Sequence, residues 1–438
     1  MQIKIPENVE KIINTLEAAG FEAYAVGGCV RDTLLNRTPN DWDITTSAHP
    51  EDVKKLFKVT FDTGIEHGTV SVLLDKVVYE VTTYRIDGEY DDARHPSSVL
   101  FTDSLKEDLR RRDFTINAMA YNPRTGIVDL YGGREDIENR IVRCVGDARE
   151  RFDEDALRIL RAVRFAAQLG YTIEKETKKA ITELAVNLKK ISAERIREEF
   201  LKMITSDNPG YIVDAYELGI TKVFLPEFDL MMRTPQNNPH HAYTVGVHTV
   251  KVMENIKADK VLRLSALLHD VGKPATRKTD DNGIDHFYGH PKVGVDISKD
   301  IFNRLKFDNE TKRKVCTLVG CHDWMIESSD IHIRKEIHRI GEEAFPDIFE
   351  LNRADILGQG RYRMEEKLEL LERVKKAYDE VMKKEECVSL KTLAVTGADL
   401  IKAGCKEGPE IGKTLEYLLE KVLEDPSLNT KEKLLELL

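Results

Sequence analysis

Every stretch of this chain that reads as a β-strand lies before residue 143, and that segregation constrains the fold more than any other feature. The apolar run AYAV comes first, then GTVSVLL, VVYEVTTYRI and SVLFT, all rich in β-branched and aromatic residues. Ahead of them Val9, Ile12, Ile13 and Leu16 recur at helical spacing. Beyond about 143 the strand signals fade and long amphipathic patterns take over, with Ala156, Leu160, Val163 and Ala167 on one helical face. The expectation is an α+β chain, a head with a small β-sheet followed by helices.

The helical part divides further. Histidine, proline and asparagine cluster in TPQNNPHHAYTVGVHT, and most of the twelve histidines follow within 248–360, where the turn-like TDDNGID breaks the helical pattern. The stretch RYRMEEKLELLERVKKAYDEVMKKEE is an amphipathic charged helix with Leu368, Leu371, Val374, Tyr378 and Val381 inward. The segments expected are a head at 1–142, a helical neck at 143–233, a histidine-rich module at 234–360 and a helical tail at 361–438. No run reaches the ~18 apolar residues of a membrane span. The first twenty residues read as a helix rather than a signal peptide. Six scattered cysteines point to a reduced, cytoplasmic compartment. A net charge of −11 excludes a uniformly basic nucleic-acid binder but leaves room for local basic surfaces.

The chemistry concentrates first in AVGGCVRDTLLNRTPNDWDI, residues 25–44. A strand runs into Gly27-Gly28 and a helix begins at once. Glycines let backbone N–H groups approach a phosphate, and Arg31, one turn in, can pair with a triphosphate. Asp41 and Asp43 alternate on an extended segment, so they project together and can hold two Mg²⁺ ions that activate a hydroxyl and stabilise leaving pyrophosphate. The same D-x-D spacing also occurs in metal-free loops; the Gly-Gly, Arg-Asp and strand context favours the metal reading. Glu80, with an apolar neighbour on either side in VVYEVTTYRI, is either a third bridging carboxylate or an ordinary edge-strand glutamate.

GGCVRD followed by DWDI resembles the signature of class II tRNA nucleotidyltransferases and bacterial poly(A) polymerases, within the polymerase-β-like superfamily. RRRDFTINAMAYNP (110–123), DLYGGREDIENRIVRCVGD (129–147) and EDALRILRAVRF (154–165) resemble that family's later motifs, in order, over about the first 200 residues. The resemblance implies a polymerase-β-like nucleotidyltransferase head and an all-α neck. It implies that Asp113 and Asn117 bind a ribose 2′-hydroxyl, and that Arg111, between Arg110 and Arg112, serves phosphates or the tRNA backbone. It also assigns base reading to Asp155 and Arg158, with Glu154 orienting the arginine. Helical spacing puts Glu154, Asp155 and Arg158 on one side of a helix, where they form either a surface ion pair or a reader of Watson–Crick edges. Cytosine and adenine each offer an amine donor beside a ring-nitrogen acceptor, which an Asp–Arg pair matches; uracil and guanine reverse that polarity. Arg161, one turn on, can reach a triphosphate or tRNA. The polar loop RIDGEYDDARHPSSVLF (85–101) carries Asp87, Tyr90, Asp92, Arg94 and Pro96 in the pattern of complete CCA adders, where such a loop is associated with switching from C to A.

The second constellation is His248, His269-Asp270 in SALLHDVGKPAT, His290, His322 and Asp355. It resembles an HD domain in the order H, HD, H, H, D. The resemblance implies one or two divalent metals, a transition metal or Mg²⁺, activating water for phosphoester hydrolysis. Lys273 follows the HD pair and can contact a phosphate. The leading expectation is template-independent addition of C, C and A to tRNA from CTP and ATP, with a possible phosphohydrolase activity in the HD module. The alternatives are a poly(A) polymerase, an A-adding or CC-adding relative, or a phosphohydrolase acting through the HD module. The largely acidic tail argues against the poly(A) polymerases that carry a basic extension, and the oligomeric state stays open.

Overall fold

A computed structural model describes residues 3–88, 99–237, 243–323, 327–384 and 386–438. The chain divides into two compact units, Met1–Pro226 and Glu227–Leu438.

In the first unit, helix α1 (Glu7–Ala18) buries Val9, Ile12, Ile13 and Leu16 completely, as their spacing predicts. Strand β1 (Ala23–Val26) leads into α2 (Gly28–Leu34), then β2 (Asp43–Thr46) and α3 (Pro50–Leu56). Strands β3 (Thr60–Gly64), β4 (Thr69–Leu74) and β5 (Val77–Thr83) form an antiparallel meander. The stretch read as VVYEVTTYRI is interrupted at Tyr84, so Arg85–Asp87 is a separate strand, β6, paired with β7 (Val99–Phe101). Helix α4 (Leu105–Arg110) precedes β8 (Met119–Asn122) and β9 (Gly126–Asp129). The seven-stranded sheet has the order β3-β4-β5-β2-β1-β8-β9, antiparallel except for the β2–β5 pair. Helices α1 and α3 cover one face, where Ile44, Val70, Val72, Tyr79 and Val81 are buried among them. Alternation sends Glu80 and Phe61 to the other face, and both are exposed.

Further helices of this unit include α5 (Gly133–Glu138), α6 (Ala148–Glu154), α7 (Leu157–Leu169), α8 (Lys175–Leu184) and α9 (Ala193–Ile204). Ala156, Leu160, Val163 and Ala167 are buried as expected. So are Arg158, on the opposite side of α7, and Arg164, beside that stripe, which makes α7 a central helix rather than a half-exposed one.

The second unit is helical. Its site-bearing helices are α10 (Val245–Glu254), α11 (Lys260–Leu268), α12 (His290–Arg304), α13 (Asn309–Cys321) and α14 (Phe345–Gly358). The TDDNGID segment turns between two-residue strands, Lys278–Thr279 and Asp285–His286. Helix α15 (Met364–Lys383) buries Leu371, Val374 and Val381, while Leu368 and Tyr378 are half-buried and Tyr378 stacks on Phe345. Helix α16 (Pro409–Glu424) supplies Leu418, Leu419, Val422 and Leu423 to a separate small core. Among the described residues no helix is long and apolar enough to cross a membrane. All six cysteines are free.

One close approach holds the histidine-rich segment together. A Cβ on Gly272 would lie 2.2 Å from the His290 carbonyl oxygen and 2.7 Å from the Gly294 nitrogen, both backbone atoms of α12. Gly272→Ala therefore forces α12 away and destabilises this unit by about 1–3 kcal/mol. The measurement is a lowered midpoint for this unit's unfolding transition, with that of the first unit unmoved.

Candidate active site and metal centre

Val26 stands opposite Asp43 in the β1–β2 register. Gly27 then takes φ 87°, a left-handed conformation open to glycine at no steric cost, and turns the chain into α2. A side chain there would crowd Arg112, since a Cβ on Gly27 would lie 3.1 Å from the Arg112 Nη1. On the other side of β2, Ile44 is in parallel register with Val81, which sets Asp43 beside Glu80 on the open face. Asp41 lies just ahead of β2, and all three carboxylates are solvent-accessible. Loss of solvation by the surrounding cleft pushes the Asp43 carboxyl up to about 6; Arg112 opposes the rise, and the charges of Asp41 and Glu80 add to it. Three acids thus share one patch whose principal counter-charge at Asp43 is Arg112. That donor set fits divalent cations, which relieve such repulsion.

The residues expected to hold the nucleotide converge behind this patch. Buried Arg31 donates from Nη1 to Asn117 Oδ1 at 2.6 Å and pairs with Asp32. Asn117 Nδ2 donates to Asp113 Oδ1 at 3.0 Å. Arg161 donates to Asp113 Oδ2 from Nε at 2.9 Å and Nη2 at 2.6 Å. Burial alone would raise the Asp113 pKa; Arg161, Asn117 and the charge of Arg158 overcome it and hold the group well below the ordinary aspartate range. Gly28 and Arg31 line an open cavity together with Arg37, Asp41, Arg164 and Lys202.

The expected single helix through Glu154, Asp155 and Arg158 is corrected by the structure. Asp155 adopts φ −139° and ψ 102°, so α6 ends before it and α7 begins at Leu157. The cause is local: the Asp155 carboxylate accepts the Leu157 N–H at 3.0 Å and a bond from Arg195 at 2.8 Å, capping α7 instead of continuing α6. Glu154 still meets Arg158, at 2.5 Å, and Arg158 also donates to the carbonyls of Arg151 and Arg111 at 3.1 and 2.9 Å. Arg111 itself pairs with Asp108 at 2.8 Å. In the 85–101 loop, Tyr90, Asp92, Arg94 and Pro96 lie outside the described residues.

In the second unit, Asp270 and five further side chains from five helices and their ends meet. His248 Nε2 lies 3.2 Å from His269 Nε2, 2.9 Å from Asp355 Oδ1 and 3.5 Å from Asp270 Oδ2. His290 Nε2 lies 3.0 Å from His322 Nε2, and both are within 3.5 Å of Asp270 Oδ1. All four rings place Nδ1 against a backbone carbonyl, of Gly358, Ala266, Phe287 and Val319, at 2.7–3.1 Å. A carbonyl only accepts, so Nδ1 carries a proton in each ring, and each Nε2 faces the other ring of its pair and Asp270. Two such pairs, one at each oxygen of Asp270, fit metal cations. Lys273 Nζ sits 2.7 Å from Asp270 Oδ2 and is held by Gln236 at 2.9 Å. Burial opposes ionisation of Asp270, but His269 and Lys273 hold its pKa well below the usual range.

Two acids escaped the sequence reading. Asp108, fully buried, takes bonds from Arg111 and from Thr45 of β2 at 3.0 Å, and faces Arg112 at 3.5 Å. Glu199, on α9, pairs with Arg164 at 2.8 Å and Arg161 at 3.7 Å. The i, i+3 and i+4 spacing of Asp108 to Arg111 and Arg112 was the available signal. Burial works against the Asp108 charge, yet the two guanidiniums lower its pKa. Its stabilisation is therefore complete above the free-aspartate value of about 3.9 and is lost as pH falls through the folded value. Asp108→Asn should cost about 3–5 kcal/mol at neutral pH. In urea denaturation across pH, the gap between wild type and variant should narrow below about pH 4.

Three family models match the chain. They are the Poly A polymerase head domain at 23–143, the RNA- and SrmB-binding site of polymerase A at 170–232, and tRNA nucleotidyltransferase domain 2 at 293–438. The CCA-adding enzyme of Lactobacillus helveticus is 57% identical over 192 residues, 44% of this chain and 48% of that protein. That of Lactiplantibacillus plantarum is 56% identical over 198 residues, 45% and 49%. The chain thus spans about half the length of the curated relatives it matches. The crystal structure of Bacillus stearothermophilus CCA-adding enzyme in complex with CTP is 29% identical, with 99% of this chain and 97% of that chain covered and a TM-score of 0.74. The Thermotoga maritima CCA-adding enzyme complexed with tRNA, 21% identical with 100% and 98% covered, shares the fold at a TM-score of 0.57. Head, RNA-binding region and second nucleotidyltransferase domain are matched in chain order, so over these segments the chain is similar to the class II tRNA nucleotidyltransferases and poly(A) polymerases.

Proposed function

We propose that this protein adds C, C and A to the 3′ end of tRNA, without a template, from CTP and ATP. The observation that carries the reading is the grouping of Asp41, Asp43 and Glu80 on the open sheet face beside Gly27, Gly28 and Arg31. Relatives in complex with CTP and with tRNA support it. Asp41 and Asp43, with Glu80 close by, are the residues that would hold two Mg²⁺ ions; such ions, when bound, activate a hydroxyl and stabilise leaving pyrophosphate. Arg31, fixed by Asn117, supplies positive charge on the side where the triphosphate enters. Asp113 and Asn117 hold the ribose 2′-hydroxyl. Asp155 accepts from the exocyclic amine of cytosine or adenine; each of its oxygens is engaged once and retains a second lone pair. Arg158, oriented by Glu154, donates to the ring nitrogen. Arg161 fixes Asp113 and reaches toward the nucleotide. We assign the head to 1–142, the neck to 143–233, the HD module to 234–360 and the tail to 361–438. A cytoplasmic location fits tRNA as partner and six free cysteines.

A second reading rests on the facing Nε2 pairs of the second unit. We propose that His248, His269, Asp270 and Asp355 on one side, and Asp270, His290 and His322 on the other, would hold divalent transition metal or Mg²⁺. Such ions, when bound, generate a nucleophilic water for phosphoester hydrolysis. Lys273 provides a positive charge beside Asp270.

Incubating tRNA that lacks its 3′ end with each labelled NTP, then sequencing the product, separates complete CCA addition from A-only, CC-only or poly(A) synthesis. Asp41→Ala or Asp43→Ala should abolish incorporation and leave tRNA binding nearly unchanged; a retained rate would remove the metal assignment. Arg158→Ala should lower discrimination against UTP and GTP by roughly 5- to 150-fold, the equivalent of about 1–3 kcal/mol for an unpaired buried polar group. An equal loss for all four nucleotides would make Arg158 structural. His269→Ala should end metal-dependent hydrolysis of 2′,3′-cyclic phosphates and spare CCA addition.

A further inference from the structure

The sheet order decides from which side an acceptor strand can reach the carboxylates. Strand β2 lies between β1 on one side and β5 on the other. Gly27, Gly28 and Arg31, assigned to the triphosphate, and Asp113 and Asn117, assigned to the ribose, lie on the β1 side. Gly28 and Arg31 follow β1, and Asp113 and Asn117 precede β8, its next neighbour. In an in-line displacement the attacking hydroxyl and the leaving pyrophosphate stand on opposite sides of the phosphorus. With pyrophosphate leaving on the β1 side, the acceptor's 3′-hydroxyl comes in over β5, β4 and β3.

Besides its polar residues, that part of the sheet carries exposed apolar side chains. Phe61 pairs with Ser71, and Ser71 with Glu80, so the three form one row across β3, β4 and β5 on the face that carries Asp43. The next row on the same face holds Val78 opposite Leu73, whose N–H donates to the Val59 carbonyl at 3.0 Å. Val59, just ahead of β3, Phe61 and Val78 are 44%, 48% and 54% exposed, and with Leu73 between Val59 and Val78 they form one apolar ledge rather than scattered residues. Phe61 stands two strand spacings, about 10 Å, from Glu80. Between them Ser71, buried and bonded to Thr63 at 2.7 Å, leaves a low floor.

Resting on the nucleotidyltransferase reading, we infer that this ledge is the seat of the acceptor's unpaired 3′-terminal nucleosides, with Phe61 stacking on a base. The surface has to accept whatever base precedes the added C, then C, then C again. A stacking platform suits that task because every base has a π-face and no hydrogen-bond pattern is read.

The test compares wild type, Phe61→Ala and Phe61→Tyr on tRNA lacking its 3′ CCA. Phe61→Ala should raise KM for tRNA by roughly 5- to 150-fold, the range of one lost base stack. Its kcat and its KM for CTP should change less than twofold, and Phe61→Tyr should restore the acceptor KM. A tRNA with 2-aminopurine at its 3′ end should lose fluorescence on binding wild type and keep it with the alanine variant. An unchanged acceptor KM together with unchanged quenching in Phe61→Ala overturns the inference. So does a wild-type dimer that Phe61→Ala dissociates without moving the acceptor KM, since the ledge would then face a second copy. If wild type incorporates no nucleotide yet quenches in a Phe61-dependent way, the ledge stands and the activity reading fails. If it incorporates normally and quenching ignores Phe61, only the ledge fails.

Discussion

Two oxygens of one buried carboxylate tie the helical part of the first unit to its sheet. Asp113 receives both donors of the Arg161 fork on one oxygen and the Asn117 amide on the other, and Asn117 in turn holds Arg31. Glu199 closes the chain from α9 by meeting Arg161 and Arg164. The guanidinium of Arg164 lies 3.5 Å from the centroid of the Phe165 ring, and those of Arg31 and Arg161 at 5.0 and 5.3 Å. A network of this kind resists partial loss, because removing one member leaves another charge buried and unpaired. The same contacts that stabilise the unit therefore fix the side chains assigned to nucleotide binding.

The elements carrying strong periodicity are legible in the sequence. Val9, Ile12, Ile13 and Leu16 occupy the core as one stripe, and β4 and β5 fall within the stretches read as strands. The D-x-D spacing and the histidine order were legible too, since each rests on residue type and short-range geometry. What periodicity could not show was where a helix stops for a local reason. Asp155 has helical neighbours on both sides, and only its bonds to the Leu157 N–H and to Arg195 mark the break. Arg195 is far along the chain, and single-sequence patterning does not register such a partner.

Burial of charge was the other blind spot. Asp108, Glu199 and Arg164 are buried, although charged side chains are seldom buried without partners. Their partners sit on other elements, as Thr45 does for Asp108 and Arg164 for Glu199. In the second unit the ligand types were evident, but the division of Asp270 between two histidine pairs emerges only from which oxygen faces which ring. That division depends on helix ends packing at Gly272, a contact no residue spacing encodes.

The parallel pairing of β2 with β5 has a kinetic meaning. The β3–β4–β5 meander closes through short turns, whereas joining β2 to β5 brings together residues 37 apart, as Thr45 and Thr82 do. Loop closure of that length carries a larger entropic cost than a hairpin and slows assembly. The strand bearing Asp43 thus meets Glu80 only through a long-range pairing. A chain arrested with only the meander formed would display the apolar ledge but no assembled carboxylate cluster, so chemical competence arrives with a long-range strand pairing rather than before it.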